Sequence, residues 1–319
     1  MPETLLELAV TERIQHPGGV VSIALTHPDG KALPSFTAGA HIDLHLPTGL
    51  VRQYSLMNDP SERFRYRIGV LLDPATRGGS ALVHSKLLVG ERVRTSSPRN
   101  HFPLQVEAEP SILIGGGIGV TPMLAMAHEL NRQGRDFSLH YCTRTPDGAA
   151  FLDELRASPF HYRVREHHDD DGRSVPFSPE RDLPPATTGA HCYVCGPSGF
   201  MDWVINTARS LGYPETALHR EYFSADIDRA GAAFEIHAAR SDLTVQVAEG
   251  QSIAEALRGA GIAVEVSCEE GVCGTCLVDV LDGVPDHRDV YLTDAEKQAN
   301  DQMLVCCSRA QTSRLVLDI

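Results

Sequence analysis

Three cysteines near the carboxyl-terminal end of the chain are spaced like the ligands of an iron–sulfur cluster. Cys268, Cys273 and Cys276 follow the pattern C-x4-C-x2-C, and Cys306 and Cys307 come further along the chain. Three thiolates at this spacing plus one distant thiolate are typical of a plant-type [2Fe–2S] loop, in which four soft sulfur ligands hold two irons. A zinc ribbon would need two C-x2-C pairs, whereas this segment has one. The pattern therefore predicts a [2Fe–2S] cluster, with Cys306 or Cys307 as its fourth ligand.

Two glycines, Gly271 and Gly274, lie between these cysteines. Glycine has no Cβ, so the backbone can curl past the inorganic sulfurs with its N–H groups pointing inward. There the N–H groups can hydrogen-bond the negatively charged cluster. We therefore expect both glycines to shape the loop around the cluster.

Two stretches in the first third of the chain combine a cation with groups that bind a flavin. Arg52-Gln53-Tyr54-Ser55 supplies a guanidinium, an aromatic ring and a hydroxyl, which suit a flavin's phosphate, its ring or ribityl chain, and its N5 edge. Arg77-Gly78-Gly79-Ser80 opens a predicted helix, whose free N–H groups and positive dipole end suit a phosphate, with Arg77 as a bidentate cation. The alternative for the second stretch is an ordinary Gly-Gly loop.

A glycine-rich turn in the middle third of the chain is typical of nucleotide binding. Ser111-Ile112-Leu113-Ile114 predicts a strand and residues 115–119 a turn, after which Thr121 and Pro122 are expected as the N-cap and first residue of a helix. Val120 stands at the sixth position, so the turn does not follow the G-x-G-x-x-G fingerprint. Close approach of this backbone to a pyrophosphate is still expected.

Two further motifs follow predicted strands of the same region. They are Thr143-Arg144 and Cys195-Gly196-Pro197. Parallel α/β sheets bind ligands at the carboxyl ends of their strands, so both motifs should line a dinucleotide cleft. The Cys195 thiol could touch the nicotinamide there, or be merely packed. Cys142 and Cys192 lie inside apolar strands and are expected to be buried.

Three kinds of element must position these residues. Residues 1–104 contain short strands separated by turns, which predicts an antiparallel β-barrel. Residues 105–226 alternate strands and helices, which predicts a parallel doubly wound sheet. A polar stretch at 225–232 is a plausible linker, and residues 233–319 predict a small α+β module that contains the cluster loop and a capping box at 252–255.

Two histidine-rich stretches resemble metal sites but are expected to be solvated. His41 and His45 share one face of a predicted strand, yet i and i+4 positions on a strand are too far apart for one ion. Residues 166–171, with the sequence EHHDDD, follow a predicted strand and are expected in a polar loop. We assign no metal to either stretch.

Composition and charge limit the classes of function. The chain has 319 residues, a net charge of −14 and 42% apolar residues, enough for two or three domains with their own cores. The negative charge argues against nucleic acid and anionic membranes as partners. The start of the chain lacks a basic-then-apolar leader and no apolar run approaches about 18 residues, so we expect a cytoplasmic protein. Residues 233–319 carry 15 acidic and 6 basic side chains, which would steer this module toward a basic patch on a partner protein.

Taken together and in this order, the motifs resemble those of the phthalate dioxygenase reductase family, which includes vanillate demethylase reductases. The resemblance runs from end to end of the chain. The motifs that carry it are Arg52-Gln53-Tyr54-Ser55-Leu56, Arg77-Gly78-Gly79-Ser80, Gly116-Gly117-Ile118-Gly119-Val120-Thr121-Pro122, Cys195-Gly196-Pro197, Ser267 with the cluster loop, Asp286-His287-Arg288-Asp289, and Val305-Cys306.

The resemblance implies a multidomain fold with three cofactors. It implies an FMN-binding β-barrel at 1–104, an NADH-binding α/β domain at 105–226 and a plant-type [2Fe–2S] ferredoxin domain of the α+β β-grasp type at 233–319. It also implies Phe223 against the flavin, Thr121 between flavin and nicotinamide, and Cys306 as the fourth cluster ligand. Ser224 stands where a glycine would be typical, which weakens the expected backbone contact there. The expected contacts are Arg52, Gln53, Tyr54, Ser55, Arg77, Gly78, Gly79, Ser80, Thr121 and Phe223 for FMN; Gly116, Gly117, Gly119, Thr143, Arg144, Cys195, Gly196 and Pro197 for NADH; and Cys268, Cys273, Cys276 and Cys306 for the cluster.

The expected function is electron transfer with a change in electron number. NADH donates two electrons as a hydride and a [2Fe–2S] cluster accepts one, so a flavin must stand between them. No side-chain acid or base is strictly required, and we assign positioning and electrostatic roles to Ser55, Thr121 and Cys195. The resemblance implies a monomeric reductase that passes electrons to a terminal Rieske-type oxygenase acting on an aromatic compound.

Alternatives remain open at this point. The same modules could serve a di-iron hydroxylase or a cytochrome P450, or the chain could be a ferredoxin-type carrier without flavin activity. NADH is favoured over NADPH because no arginine cluster follows Thr143-Arg144, and Asp147 would repel a 2′-phosphate.

Overall fold

The computed structural model describes residues 5–73, 78–105, 110–169, 172, 175–224 and 228–319. The chain divides into two compact units, Met1–Glu221 and Tyr222–Ile319. We call them unit 1 and unit 2 and describe each by itself. Among the described residues, no helix has the length and apolar character needed to cross a bilayer.

Unit 1 begins with six antiparallel strands and one helix. They are β1 (Leu6–His16), β2 (Val20–Thr26), β3 (His41–His45), β4 (Val51–Ser55), β5 (Tyr66–Leu71), α1 (Gly79–Lys86) and β6 (Arg92–Thr95). The sheet order is β4-β3-β6-β1-β2-β5, and its two outer strands meet beyond the end of β4 through a bridge between Leu56 and Ile68. Apolar side chains such as Leu8, Ile23 and Ile42 are fully buried within it. The predicted antiparallel barrel is confirmed.

The second part of unit 1 is a parallel sheet flanked by helices. Its elements are β7 (Ser111–Gly116), α2 (Val120–Arg132), β8 (Phe137–Thr143), α3 (Leu152–Ala157), β9 (Val164–His168), α4 (Pro179–Asp182), β10 (His191–Cys195), α5 (Ser198–Ser210) and β11 (Leu218–Glu221). All five strands are parallel, in the order β11-β10-β7-β8-β9. From β7 the chain adds β8 and β9 on one side and then β10 and β11 on the other, so the switch point lies between β7 and β10. Open α/β sheets bind ligands at such a switch point, because the loops leaving the two central strands diverge there.

The barrel and the parallel sheet are packed together through Gly69 on β5. A Cβ at Gly69 would lie 2.8 Å from Cγ2 of Thr121 and 2.9 Å from Cζ of Phe151, so the missing side chain lets α2 and the start of α3 approach the barrel. Phe151 has a φ of 62°, which is rare for a bulky residue and costs about 1–3 kcal/mol. Its packing against Gly69 and the ring of His16 holds it there.

A bidentate ion pair joins the same two parts of unit 1. Arg67 on β5 donates to both carboxylate oxygens of Glu154 on α3, at 2.6 and 2.7 Å. Only 12% of the Arg67 side chain is exposed. A partly desolvated bidentate pair fixes orientation more firmly than a surface pair does, because its geometry allows few alternatives.

Unit 2 has a mixed sheet and two short helices. Its elements are β12 (Phe234–Ala238), β13 (Leu243–Val247), α6 (Ile253–Gly259), β14 (Leu277–Asp282), β15 (Pro285–Asp286), α7 (Asp294–Ala299), β16 (Gln302–Leu304), β17 (Arg309–Ala310) and β18 (Arg314–Leu317). The main sheet has the order β13-β12-β18-β14-β16. The capping box of Ser252 and Glu255 at the start of α6 is confirmed. The predicted α+β module with a helix packed on its sheet is confirmed.

Two predictions about local structure were wrong. Thr121 is not the N-cap of α2: the helix begins at Val120 after Gly119, and the Thr121 hydroxyl donates to the carbonyl of Ile118 at 3.0 Å. The 3-10 turn before α2 already supplies helical backbone, so the helix starts two residues earlier than the Thr-Pro signal indicates.

The histidines were expected on the surface, and most of them are buried. His41 is 5% exposed and stacks on His101, while His45 is partly buried. His167 and His168 lie within β9 rather than in a loop, and His167 stacks on His140 of β8, with their ring nitrogens 3.0 Å apart. Paired imidazoles satisfy each other's hydrogen bonds, which a reading of single strands does not reveal.

Replacing Glu154 by Gln should destabilise unit 1 by about 1–3 kcal/mol, because Arg67 would keep its charge without a carboxylate partner. Urea unfolding gives the free energy. The matched control is Glu166→Gln, which breaks the bidentate but more exposed pair with Arg156 and should cost about 0.5 kcal/mol or less. Equal losses in the two variants would contradict the assignment.

Candidate functional site

The four cysteines of the predicted cluster lie in unit 2 as two neighbouring pairs of thiols. The Sγ atoms of Cys268 and Cys273 are 3.1 Å apart, and the thiols of Cys276 and Cys306 hydrogen-bond each other. All four are buried. In the part of the chain that the structure describes, no three metal-ligating side chains converge on a single ion. Two pairs of thiols instead fit two irons, each held by two protein sulfurs.

One thiol of each pair favours the thiolate form. The hydrogen bond from the neighbouring Cys276 thiol lowers the pKa of Cys306, and that from Cys268 lowers the pKa of Cys273, while the pKa values of Cys276 and Cys268 are raised. The thiolate is the form that binds iron. The donor set therefore fits a cluster in chemistry as well as in number.

The loop backbone curls around these sulfurs as predicted. Gly271 and Gly274 have φ values of 67° and 74°, in the left-handed region that favours glycine. The N–H of Glu270 donates to Sγ of Cys268 at 3.3 Å, and the N–H of Gly271 donates to the sulfur of Cys306. Inward N–H groups of this kind stabilise the negative charge of a cluster.

The adjacent Cys307 has different surroundings from Cys306. Its Sγ lies 3.7 Å from the carbonyl oxygen of Leu304, and a Cβ at Gly271 would be only 2.7 Å from it. The Cys307 thiol also hydrogen-bonds Cys306, whereas Cys306 in addition pairs with Cys276 and accepts from the N–H of Gly271. The geometry favours Cys306 as the fourth ligand.

In unit 1, Arg52 lies across the amino-terminal end of α1. A Cβ at Gly79 would be 2.7 Å from both Cγ and Nε of Arg52, so the glycine leaves room for the guanidinium beside the helix end. The first turn of α1 has no acidic residue. A cation beside the amino-terminal end of a helix fits a phosphate. Ser80 is partly engaged, because its Oγ accepts from the N–H of Asp73 at 3.2 Å.

The other residues of the first predicted flavin stretch divide between two faces of β4. Tyr54 packs against the barrel core, and burial raises its pKa. The amide of Gln53 points the other way and donates to Asp43 at 3.0 Å. Gln53 therefore already has a carboxylate partner within the barrel, and its flavin contact stays a prediction.

A hydrogen bond joins the barrel to β11, the edge strand of the parallel sheet beside β10. Ser55 at the end of β4 donates to Oε2 of Glu221 at 3.2 Å, and Glu221 is paired in register with Cys195 on the adjacent strand. Glu221 is partly buried as a residue and its carboxyl is surrounded by protein atoms. This burial raises the pKa of the Glu221 carboxyl to about 8, which keeps the carboxyl protonated at neutral pH.

Cys195 is fully buried at the end of β10. Burial raises the pKa of its thiol well above the ordinary value, and the nearby Glu221 acts in the same direction. The thiol is therefore a neutral packed group in this structure, and its contact with nicotinamide stays a prediction.

The glycines of the nucleotide turn have distinct packing roles. A Cβ at Gly119 would lie 2.3 Å from the carbonyl oxygen of Cys195, and one at Gly116 would lie 3.0 Å from the ring of Phe200. Gly117 has a φ of 56° and open space where its side chain would be. The missing side chain of Gly119 thus lets the turn before α2 contact the end of β10, while Gly117 leaves its backbone open toward a ligand.

A cavity of about 540 Å³ opens at this turn. Thr143 and Arg144 at the end of β8 form its polar side together with Asp169, whose N–H donates to the carbonyl of Thr143. The lining also contains the aromatic rings of Phe177, Phe200 and Trp203, which contact one another, and the residues Gly116, Gly117 and Pro197. Backbone N–H groups, one cation and flat apolar walls fit a dinucleotide.

The structure brings most of the predicted nucleotide-binding residues together, and it also shows residues of the site that were not predicted. Gly116, Gly117, Thr143, Arg144 and Pro197 all line the cavity. Sequence reasoning missed Glu221, an acid at the end of β11, a strand that was not predicted, and it missed the aromatic wall. Arg77 lies outside the described residues, and Phe223 belongs to unit 2, where 39% of it is exposed.

Comparison with family models identifies the two regions. A model of the 2Fe-2S iron-sulfur cluster binding domain matches residues 236–311, and a model of the oxidoreductase NAD-binding domain matches residues 113–205. These ranges contain the cluster loop and the glycine turn, respectively.

Curated relatives align over almost the whole chain. The chain is 48% identical to the vanillate O-demethylase oxidoreductase of a Pseudomonas species, over 94% of this chain and 95% of that protein. It is 40% identical to the phthalate dioxygenase reductase of Burkholderia cepacia, over 98% and 97%. It is 39% identical to the carnitine monooxygenase reductase subunit of Escherichia coli, over 94% of each.

Solved structures give the same result. Phthalate dioxygenase reductase, described as a modular structure for electron transfer from pyridine nucleotides to [2Fe–2S], matches with a TM-score of 0.74 and 38% identity over 99% of this chain and 98% of that one. An intact type IV self-sufficient cytochrome P450 monooxygenase matches with a TM-score of 0.85 and 36% identity. The match covers 99% of this chain and 41% of the P450 chain.

Replacing Glu221 by Gln should change how stability depends on pH. The folded-state pKa of about 8 is raised above the unfolded value, so the contribution of Glu221 to stability is fully present below about pH 4.5 and is lost as the pH rises through 8. The variant cannot ionise there, and at pH 9 it should exceed the wild type by roughly 2–4 kcal/mol relative to pH 5. Urea unfolding at several pH values measures this. Glu215→Gln, an exposed acid paired with Arg209, should not reproduce the pH dependence.

Replacing Gly119 by Ala should destabilise unit 1 by about 1–3 kcal/mol or more, because the new Cβ would overlap the backbone carbonyl of Cys195. It should also weaken NADH binding by displacing the turn. Gly199→Ala is the control, since nothing lies within 4 Å of a Cβ at that helical position. Chemical unfolding and an NADH titration would refute the packing role if the two variants behaved alike.

Proposed function

The chain belongs to the phthalate dioxygenase reductase family, and from this premise we propose that it is the NADH-dependent reductase that supplies electrons to a Rieske-type oxygenase. It combines an NAD-binding region with a [2Fe–2S] region in one polypeptide. Its relatives are named as reductase components of oxygenase systems.

The observation that carries the proposal is the presence of a two-electron donor site and a one-electron carrier site in one chain. Oxidation of one NADH releases two electrons and one proton, enough to reduce two [2Fe–2S] centres by one electron each. The cavity beside Gly117 suits the donor, and the paired thiols of unit 2 suit the carrier. A flavin, when bound, supplies the ability to take electrons in a pair and release them one at a time.

The residues of unit 1 would hold FMN and orient it. Arg52 and the N–H groups of Gly79 and Ser80 would hold the phosphate, with Arg77 as a further cation. Tyr54 would contact the flavin or its ribityl chain. The Ser55 hydroxyl, held by the protonated Glu221, would be directed at the flavin edge. Because these groups are fixed by β4, α1 and β11 before the flavin binds, they need little reorganisation.

The residues around the cavity would bind and orient NADH. The backbone of Gly116, Gly117 and Gly119 would approach the pyrophosphate, and Thr143 and Arg144 would contact the adenosine half. Asp169 lies on the same side of the cavity, where its carboxylate would repel a 2′-phosphate and so favour NADH over NADPH. Thr121, Cys195, Gly196 and Pro197 would border the nicotinamide, and Phe223 would lie against the flavin.

The residues of unit 2 would hold the cluster. We propose Cys268, Cys273, Cys276 and Cys306 as the four ligands. The inward N–H groups of the loop would stabilise the added charge on reduction. We keep 1–104, 105–226 and 233–319 as the boundaries of the FMN, NADH and ferredoxin domains.

The terminal acceptor is proposed to be a Rieske-type oxygenase that acts on an aromatic compound, because the relative with 48% identity is named for vanillate. The acidic unit 2 would meet a basic patch on it. A cytochrome P450 is the second candidate acceptor, because a self-sufficient P450 chain contains a region with the same fold and 36% identity. A monomeric, cytoplasmic protein remains our prediction from the sequence.

Purified protein should contain one FMN, two irons and two sulfides per chain. Anaerobic NADH should bleach both the flavin and the cluster absorption. Cys306→Ala should lose the cluster and retain NADH oxidation with a flavin-level acceptor such as ferricyanide. Cys307→Ala is the matched control and should keep the cluster, because it leaves the pair of Cys276 and Cys306 intact. Protein that contains iron without flavin, or a cluster lost only in Cys307→Ala, would contradict the proposal.

A further inference from the structure

Arg288 of the Asp286-His287-Arg288-Asp289 motif is hydrogen-bonded to the segment of unit 2 that precedes β12. Its Nη1 donates to the backbone carbonyl oxygens of Asp228 and Ala230, the latter at 2.7 Å. Asp286 orients the guanidinium by accepting from its Nε at 2.9 Å and its Nη2 at 2.5 Å. One charged side chain thus bridges the sheet of unit 2 and two peptide groups before β12.

A second arginine holds the next residues of the same segment. Arg309 is 3% exposed, and its Nη2 donates to the carbonyl oxygens of Ala232 at 2.9 Å and Gly231 at 3.3 Å. Its Nη1 donates to the carbonyl of Gln251 at 2.7 Å, and its guanidinium lies 5.1 Å from the ring centre of Phe234. The guanidinium is therefore fixed on the unit 2 side as well.

The segment is shaped to accept these contacts. A Cβ at Gly231 would be 3.0 Å from Nε of Arg309, so a side chain there would push the arginine away. Asp228 Oδ1 accepts from the N–H of Ala230 at 2.8 Å, which closes a tight turn around Arg229. Arg229 pairs with Glu255 at the start of α6. We call residues 228–232 together with Arg288 and Arg309 the linker clasp.

The clasp shortens the chain that connects the two units. Between Glu221, the last residue of unit 1, and Asp228 the chain spans at most about 25 Å, whereas between Glu221 and Phe234 on β12 it would span at most about 45 Å. The effective concentration of two tethered sites falls roughly as the −3/2 power of tether length. Fastening residues 228–232 to unit 2 therefore raises the encounter frequency between the two units about two- to threefold.

We propose that Arg288 and Arg309 are positioning residues, which fasten residues 228–232 to the folded remainder of unit 2 and so keep the chain between Glu221 and the cluster-binding part of unit 2 short. The inference rests on the proposed electron flow from unit 1 to the cluster. It assigns to Asp286-His287-Arg288-Asp289 a role in electron delivery that involves no contact with a cofactor.

Two insertions of about eight Gly and Ser residues, which behave as flexible coil, test the clasp in the holoprotein. One is placed after Ser224, before the clasp, and the other after Ala232, behind it. Stopped-flow mixing with NADH follows flavin bleaching and then cluster reduction. The insertion before the clasp should slow cluster reduction about threefold, the insertion behind it should leave that step unchanged, and flavin bleaching should be normal in both. If both insertions slow cluster reduction equally, or neither does, the clasp does not set the tether.

A second readout needs no electron transfer. Trypsin cleavage after Arg229 should be slow in the wild type and several-fold faster in Arg288→Gln, with Arg288→Lys intermediate because it restores one contact. Arg240→Gln, which breaks the exposed pair with Asp318 on the same unit, is the control for general loosening. Unchanged cleavage in Arg288→Gln would overturn the clasp even if wild-type NADH failed to reduce the cluster, an outcome that would instead refute the proposed function.

Discussion

Close approach to the backbone at glycines is the physical constraint on which the predicted flavin and dinucleotide sites of unit 1 depend. At Gly119 the turn before α2 meets the end of β10, at Gly79 the guanidinium of Arg52 crosses a helix end, and at Gly69 the parallel sheet reaches the barrel. In each case the atom that a side chain would overlap belongs to a group of the candidate site or to its support. The glycines therefore do more than permit turns, because they set the distances between the parts that must act together.

The tightly packed region where the barrel meets the parallel sheet is weakly polar. Ser55, Cys195 and Glu221 converge there, and burial keeps both the thiol and the carboxyl protonated near neutral pH. A neutral acid and a neutral thiol impose little field of their own. A flavin ring is neutral in one redox state and charged in another. Surroundings without a fixed charge stabilise neither state at the expense of the other.

Unit 2, by contrast, must hold a negatively charged cluster among buried side chains. Its thiols come in two pairs, its loop turns N–H groups toward the sulfurs, and Cys307 fills the space behind Gly271. The linker clasp is a separate feature of unit 2, because its contacts involve residues 228–232 rather than the cluster cysteines. Local chemistry and tether length are thus controlled by separate residues.

The sequence alone determined the chemistry and the order of the modules. Cysteine spacing, the Arg52 motif and the glycine turn each require particular residues at particular separations, and such local requirements are visible in one dimension. The capping box of Ser252 and the burial of Cys192 followed from the same local rules and are found as expected.

Tertiary structure alone decided which distant groups meet. The protonation of Glu221, the pairing of His140 with His167, the opposite orientation of Gln53 and the different surroundings of Cys306 and Cys307 all depend on neighbours that are far away along the chain. Burial and hydrogen bonding are properties of the packed surroundings rather than of a residue type. A pattern in the sequence can therefore name the groups that do the chemistry, whereas only the fold assigns each of them its charge, its partner and its direction.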